Sequence, residues 1–358
     1  MPSIEGGGVE KNLFIISNYL ALKLKKITLI TASHSFNNYF NKNIEIINPR
    51  YKFWNFLSRR TKYFICLTLL LKIILSNKKI TILAFQANIY CILLSKIFNI
   101  KIITRSNSSP SGWSKNIFKN ILYKKILNMA DKVIVNSQEF KQEMKIRFSL
   151  NTECIYNPLN KKEIFSLSKK RNNFNYFIKN KKYLKILTIG RLVDQKDQIT
   201  ILKALNILNN KINFRMVIMG KGTNERKLND YIIKNNLKEK VKLIRFQTNP
   251  YKFIKLCDLF ILSSLYEGLP NVLLESICLK KFVISTNCPT GPKEILSYGK
   301  GGSLYRPKDY YQLAKLIEKF YNKKLNEKNK IKYAYNALYR FDYKKNLNKY
   351  LNLVLRYL

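Results

Sequence analysis

Short apolar runs recur along this chain, each followed by a polar turn and then by a stretch with helical spacing. In the first half Ile27–Thr31, Ile80–Phe85, Ile100–Thr104 and Lys132–Asn136 read as strands, with helical segments around Val9–Leu24, Trp54–Ser76, Ile89–Phe98 and Ser114–Met129. In the second half the strands are Leu184–Ile189, Arg215–Met219, Val241–Ile244, Leu259–Leu262 and Phe282–Ser285. Helices around Gln198–Leu208, Glu225–Asn235, Pro250–Lys255 and Asn271–Leu279 separate them, and Tyr310–Leu358 reads as helices with basic faces. Such alternation predicts an α/β fold of parallel sheets with helices on both faces. A length of 358 residues accommodates two domains. Asn157-Pro158-Leu159, followed by the polar run Lys161–Lys182, marks the hinge. The expected layout is a Rossmann-like domain over residues 1–160, a second over 161–335, and a C-terminal helix over 336–358 packing back towards the first. Open α/β sheets place ligands at the carboxyl ends of their strands, so a cleft between the domains is where chemistry is expected.

Composition narrows the chemistry. With 46% hydrophobic and 13% aromatic residues, the chain is not disordered as a whole. One His excludes a multi-histidine zinc centre and argues against a His-based triad. The six cysteines form no CxxC pair and read as reduced thiols of a cytoplasmic protein, with nothing near Cys288 to make it a nucleophile. Lys and Arg number 66 against 21 Asp and Glu, a formal charge of +45. Either an anionic partner or a general preference for Lys, Asn, Ile and Tyr, as in Asn37–Asn43, accounts for that sign. The N-terminus lacks the basic and apolar regions of a secretory signal. The most apolar stretch, Tyr63–Ser76, contains Lys72 and falls short of the ~20 residues that span a bilayer. It reads as a helix buried against a sheet. Its cationic flanks (Lys52, Arg59, Arg60, Lys62, Lys78, Lys79) keep a membrane-surface helix as the alternative. Trp54 and Trp113 read as core or interface residues, and the scattered aromatics make no RNA-binding signature, so nucleic acid is not an expected partner.

The most informative segment is Tyr266-Glu267-Gly268-Leu269-Pro270-Asn271-Val272-Leu273-Leu274-Glu275, which follows a strand. Gly268 relaxes the backbone, Pro270 and Asn271 favour helix entry, and the first amides at Asn271, Val272 and Leu273 make an anion site suited to a diphosphate. Glu267 and Glu275 beside it would accept hydrogen bonds from sugar hydroxyls rather than bind phosphate. A second element, Ile189-Gly190-Arg191-Leu192-Val193-Asp194-Gln195-Lys196, also leaves a strand end. Gly190 permits close backbone approach, Arg191 can grip a phosphate in bidentate fashion, and Lys196 adds a point charge.

With these motifs in view, residues 184–307 resemble the C-terminal half of glycosyltransferase family 4, retaining enzymes of the GT-B fold. The matching residues are Gly190-Arg191-Leu192 with Lys196, Gly220-Lys221-Gly222 after a strand, and Glu267-x7-Glu275 followed by Ser285–Ile295. The first half agrees more loosely through Glu5-Gly6-Gly7-Gly8-Val9-Glu10, similar to the family's glycine-rich first loop. The resemblance implies that Arg191, Lys196 and Glu267 are catalytic, the two cations neutralising the departing diphosphate and Glu267 holding donor-sugar hydroxyls. It implies that Glu275 holds the nucleotide ribose, that Gly190, Gly220, Phe246, Gly268, Leu269, Asn271, Val272 and Leu273 line the donor, and that Gly7, Gly8, Arg105 and Asn107 lie on the acceptor or donor-sugar side. It also implies that a donor phosphate oxygen assists deprotonation of the acceptor, which suits a chain almost without histidine. No Asp-x-Asp motif is present, so neither a catalytic metal nor another cofactor is expected.

Two departures stand out. The family begins with a strand before the glycine-rich loop, whereas Met1-Pro2-Ser3 leads almost directly into it, so the first strand is expected to be missing. Where many relatives carry a His, this chain has Thr104-Arg105-Ser106-Asn107, and His34 follows a different strand. The function implied is retaining transfer from a nucleotide sugar, a UDP-hexose or UDP-N-acetylhexosamine, to a lipid-linked or cell-surface saccharide. The enzyme would work at the cytoplasmic face of the membrane, against anionic lipid. The competing readings are a GT-B UDP-sugar epimerase or hydrolase, and a non-catalytic basic protein that binds membrane or nucleic acid on a degenerate transferase scaffold.

Overall fold

The computed structural model describes the chain except residue 35 and residues 52–53, 55–57, 114–115, 172–173 and 179–182. The cationic flank at Lys52 and the end of the polar run at Lys182 therefore lie outside the described residues. In chain order the first elements are α1 (Gly8–Ala21), β1 (Ile27–Ile30), β2 (Ile44–Ile47), α2 (Arg59–Ser76), β3 (Thr81–Ala84), α3 (Asn88–Ile97), β4 (Lys101–Arg105), α4 (Ile117–Asn128), β5 (Lys132–Val135), α5 (Gln138–Phe148) and β6 (Glu153–Cys154). There follow α6 (Lys161–Ser168), α7 (Asn175–Ile178), β7 (Leu184–Ile189), α8 (Gln198–Ile207), β8 (Phe214–Met219), α9 (Glu225–Lys234), β9 (Val241–Ile244), α10 (Tyr251–Leu256), β10 (Leu259–Leu262) and α11 (Asn271–Cys278). The last are β11 (Phe282–Thr286), α12 (Pro292–Ile295), β12 (Ser303–Tyr305), α13 (Tyr310–Tyr321), α14 (Glu327–Ala337) and α15 (Tyr343–Leu355). The chain divides into two units, Met1–Pro158 with Tyr343–Leu358, and Leu159–Asp342. Among the described residues every strand pair is parallel, and both units are Rossmann-like.

In the first unit, alternate strand residues feed two different layers. Ile103 and Ile134 join Leu13, Ile16 and Leu20 of α1 and Leu347, Tyr350, Leu353 and Val354 of α15. Their neighbours Ile102, Val133 and Val135 pack instead with Ile92 of α3, Ile126 and Leu127 of α4, and Phe140 and Met144 of α5. β1 and β2 form a pair separate from the four-stranded sheet β3-β4-β5-β6. Between them runs the segment before the glycine-rich loop. The Met1 amine donates to Ile30 O at 2.8 Å, Ala32 N to Pro2 O at 3.1 Å, and Ser3 N to the Gln86 side chain at 3.2 Å. Pro2, Ser3 and Ile4 are buried. Among the described residues no strand bridges the two sheets, so the first-strand position is held by this short extended piece.

Several boundaries differ from those read in the sequence. α2 begins at Arg59 rather than Trp54 because Ser58 caps it, accepting from Thr61 N at 3.3 Å. The polar run after Leu159 is not simply a linker. Asn160 Oδ1 accepts from Glu163 N at 3.2 Å while its amide donates to Glu163 Oε2 at 3.1 Å, a reciprocal cap that starts α6. Ile164 of α6 and Phe177 of α7 are buried. The strands β2, β6 and β12, of four, two and three residues, were not expected; β6 and β12 are too short to establish a period of two.

The second unit carries a six-stranded sheet in the order β12-β11-β10-β7-β8-β9. From β7 the chain winds outwards through β8 to β9, and from β10 it winds the other way through β11 to β12. The reversal falls between β7 and β10, which pair directly. The turns after these two strands therefore emerge side by side, the position that favours ligands in doubly wound sheets.

Candidate active site

The turn after β7 is packed backbone against backbone with the turn after β8. A Cβ on Gly220 would lie 1.9 Å from the Gly190 carbonyl oxygen, a separation no other residue can tolerate. Leu192 N donates to Lys221 O at 2.9 Å and Asn224 N to Leu192 O at 2.8 Å, which fixes the two loops together. Arg191 is exposed at their rim, its guanidinium donating to the side-chain oxygen of Gln195 at 3.2 Å.

The turn after β10 meets this pair through a dense polar network. Lys196 is ion-paired with Glu267, both side chains being largely enclosed. Glu267 Oε1 also accepts from Ser264 Oγ at 2.6 Å, and Thr290 Oγ1 donates to Glu267 O at 2.9 Å. The backbones are tied as well, with Leu265 N donating to Gln195 O at 2.8 Å and Ser263 Oγ to Lys196 O at 2.7 Å. Gln195 Nε2 donates to Tyr266 O at 2.9 Å. Gly291 has φ +88°, and a Cβ there would come within 2.2 Å of Gly268 O, so the turn after β11 closes tightly over the same loop. Gly268, Leu269 and Pro270 are buried beneath it.

α11 starts at Asn271 with no side-chain cap and no acid in its first turn, which leaves the positive end of its dipole uncompensated. Asn271 and Val272 are half-buried. Leu273 belongs to the core, and its amide donates to Pro270 O at 3.1 Å, so the first turn itself uses that amide. Glu275 is buried one turn further on. Phe246, just beyond β9, is exposed, and Gly220 N donates to Ile244 O at 2.9 Å beside it. Burial pushes the Cys288 thiol up to about 12, with the Glu267 carboxylate adding to the shift, so the group is protonated at neutral pH. A cavity of about 230 Å³ lies beside this network, lined by Asp194, Asp197, Asn224, Lys227 and Lys308 among others. Burial raises the pKa of Asp197 there, opposed by a hydrogen bond from Thr200 and by nearby lysines. Among the described residues no group of three or more His, Cys, Asp and Glu is placed to hold a metal ion.

The expected acceptor-side residues fall in the first unit. Gly7 is the N-cap of α1 and accepts from Lys11 N at 3.0 Å; Gly8 is the first helical residue and is exposed. Arg105 is fully enclosed. Its guanidinium donates to Tyr350 Oη of α15 at 2.9 Å, to Asn157 Oδ1 at 2.6 Å and to Asn107, and it lies over the Phe85 ring. These partners are neutral side chains, and through Tyr350 the buried guanidinium pins α15 to β4. Asn107, half-buried, also donates to Phe85 O at 2.8 Å. The sequence reading did not single out Gln195, Ser264 or Thr290. Their only signal was position, since each stands in a strand-end turn beside a residue that the motifs named.

Two strand-end loops joined by a buried cation–carboxylate pair thus lie beside a helix N-terminus without a side-chain cap, at the topological switch point where doubly wound α/β proteins place their ligands. The family model "Glycosyl transferases group 1" matches residues 169–337, and "Glycosyltransferase Family 4" matches residues 6–163. The chain belongs to this glycosyltransferase family. An uncharacterized glycosyltransferase of Methanocaldococcus jannaschii is 33% identical over 241 residues, covering 60% of this chain and 59% of that protein. The N-acetylgalactosamine-N,N'-diacetylbacillosaminyl-diphospho-undecaprenol 4-alpha-N-acetylgalactosaminyltransferase of Campylobacter jejuni is 28% identical over 225 residues, again 60% and 59% of the two chains. The chain thus spans about three fifths of the length of these curated relatives. Among solved structures, Anabaena HepE in complex with UDP-glucose superposes with a TM-score of 0.80 at 17% identity, covering 100% of this chain and 98% of that one, which places the fold as GT-B.

Proposed function

We propose that this protein is a retaining glycosyltransferase that moves a hexose or N-acetylhexosamine from a UDP-sugar to a lipid-linked or cell-surface saccharide. The observation that carries the reading is the Arg191–Gln195 and Lys196–Glu267–Ser264 network at the switch point of the second unit. Arg191 and Lys196 would take the diphosphate charge that grows as the donor bond breaks, an electrostatic stabilisation already oriented in the protein. The α11 N-terminus would share that charge. Glu267 and Glu275 would accept hydrogen bonds from hydroxyls, Glu267 on the sugar and Glu275 on the ribose. Lys196 faces both tasks, being bonded to Glu267, so donor binding would leave it bridging carboxylate and phosphate. The proton of the attacking hydroxyl would pass to a donor phosphate oxygen, and no protein base is assigned to it. Support for the donor and acceptor classes comes from the UDP-glucose bound to HepE and from the diphospho-undecaprenol named for the Campylobacter enzyme.

The test is a thermal-shift series with UDP, GDP and ADP, followed by transfer assays on a panel of nucleotide sugars and extracted lipid-linked acceptors. UDP at about 100 times its dissociation constant should add ~2.7 kcal/mol of stability. Arg191→Ala and Glu267→Ala should each lower kcat by about 100-fold or more, in the range seen when one transition-state donor is removed. Product with the anomeric configuration of the donor is expected. An inverted product, or unchanged rates in both variants, would sink the reading.

A further inference from the structure

The 85 residues from Ile46 to Ala130 hold 15 Lys and Arg and not one Asp or Glu. They build α2, β3, α3, β4 and α4 of the first unit, so this layer has no acid of its own; Asp131, just beyond it, pairs with Lys96 and Lys101 and, among the described residues, with none of the cations of α4. The layer also exposes apolar side chains. Along the first half of α4, Ile117, Phe118, Ile121 and Leu122 are between 51% and 80% exposed and lie at i, i+1, i+4 and i+5, one continuous stripe. Lys119, Lys124 and Lys125 flank it and are exposed. α3, which packs against α4, adds a second stripe of Tyr90, Leu93 and Ile97.

The stripe on α4 is presented firmly. Ile126 and Leu127 at the far end of the helix are buried in the core. Asn116 caps its start, accepting from Lys119 N at 3.1 Å. The loop leading into it is bonded to α5, with Ser109 Oγ and Ser111 Oγ donating to the two oxygens of Glu143 at 2.6 and 2.7 Å. Trp113 stacks on Phe148 and donates to Ser108 O at 2.9 Å. By contrast α2, whose composition is the more apolar, turns Cys66, Leu70 and Ile74 inward and breaks its outer face with Thr68, Lys72 and Ser76. No helix among the described residues is long and apolar enough to cross a membrane.

We infer that the α3–α4 face docks on an anionic lipid bilayer. Ile117, Phe118, Ile121 and Leu122 would enter the headgroup boundary while Lys119, Lys124 and Lys125 pair with lipid phosphates. A basic helix with one large apolar face lies in the plane of such an interface, and surface cations add attraction to an anionic leaflet. A protein partner would need acids to match these cations and a concave surface for a convex ridge, whereas a fluid anionic bilayer supplies both. The proposal extends the reading of a membrane-borne acceptor, and its test reads binding to lipid, which can fail while nucleotide binding stands.

The full chain is sedimented with vesicles of phosphatidylglycerol and phosphatidylcholine, and separately with phosphatidylcholine alone. Binding is expected to the anionic vesicles and to weaken as salt is raised. The variant Ile117→Ser, Phe118→Ser, Ile121→Ser and Leu122→Ser should bind them at least about tenfold more weakly. Its melting temperature and UDP-induced shift should stay unchanged, because the four side chains face solvent. The pair Phe64→Ser and Leu75→Ser on α2 should bind as the parent does. Parent protein that ignores anionic vesicles, an α4 variant that still binds, or loss confined to the α2 variant would each overturn the proposal. So would salt-sensitive capture of a DNA duplex without capture of vesicles.

Discussion

Gln195 touches three partners at once: the Arg191 guanidinium, the Tyr266 carbonyl, and, through its own carbonyl, the Leu265 amide. It therefore sets the rim cation against the loop that carries Glu267. Gln195→Ala should lower kcat/KM by about tenfold, or ~1.4 kcal/mol of transition-state stabilisation, mostly through a higher KM for donor. Steady-state kinetics at varied donor would show the split. Gly220→Ala puts a methyl group into the Gly190 carbonyl and should destabilise the second unit by at least ~1–3 kcal/mol, read by denaturant melts. Asp197 gives a pH signature. Its pKa is raised by burial in the folded state, so the protonated form is favoured there and stability is lost as pH rises through that folded value. Asp197→Asn keeps the left-handed backbone, φ +47°, that Asn tolerates. The variant should gain on the parent as pH is raised from 3 to 7, with no gain at the acid end; equal melting profiles across that range would refute it. The motifs made Arg191, Lys196 and the spaced Glu pair legible because their spacing from strand ends is short. Gln195 and Ser264 escaped because nothing in a single sequence says which polar residue of a turn faces another turn 70 residues away.

At the scale of elements, the apolar runs that became β7, β8, β9 and β10 were read within a residue of their ends, since buried parallel strands are continuous apolar segments. α6 was obscured by its lysines: Lys162 is exposed and Lys161 lies over the Tyr335 ring, while Ile164 is buried. The identity of α15 as a partner of α1 was only half visible. Its helical pattern is plain, but the Arg105–Tyr350 bond that fixes it joins residues 245 apart. Tyr350→Phe leaves a buried guanidinium N–H without an acceptor and should cost about 1–3 kcal/mol. Tyr350→Ala adds a cavity and should cost about 3–5 kcal/mol. Chemical denaturation would order the two variants. Equal costs would mean that the hydroxyl plays no part. α2 and α4 show the limit of composition as a guide to surfaces: the more apolar helix turns Cys66, Leu70 and Ile74 inward, and the one with Lys119, Asn120, Lys124, Lys125 and Asn128 on its surface bares its apolar stripe.

At the scale of the molecule, the large positive charge sorts into separate roles. Arg191 and Lys196 sit in the strand-end loop network of the second unit. Arg105 is enclosed among neutral partners. The acid-free span from Ile46 to Ala130 supplies the basic face of the first unit. A fragment from Leu159 to Asp342 holds the whole six-stranded sheet and every residue of the candidate donor network. That fragment should fold and show the UDP-induced thermal shift while lacking transferase activity; a fragment that folds but ignores UDP would remove the donor assignment. The return of α15 to the first unit also sets an order of assembly. As the chain leaves a ribosome, the face of α1 that bears Leu13, Ile16 and Leu20 must wait for the 184 residues of the second unit to be made before its cover arrives. At ~5–20 residues per second that is a delay of roughly 10–40 s. During it the nascent first unit is a sticky intermediate, so folding yield should depend on chaperones more than the finished protein's stability would indicate.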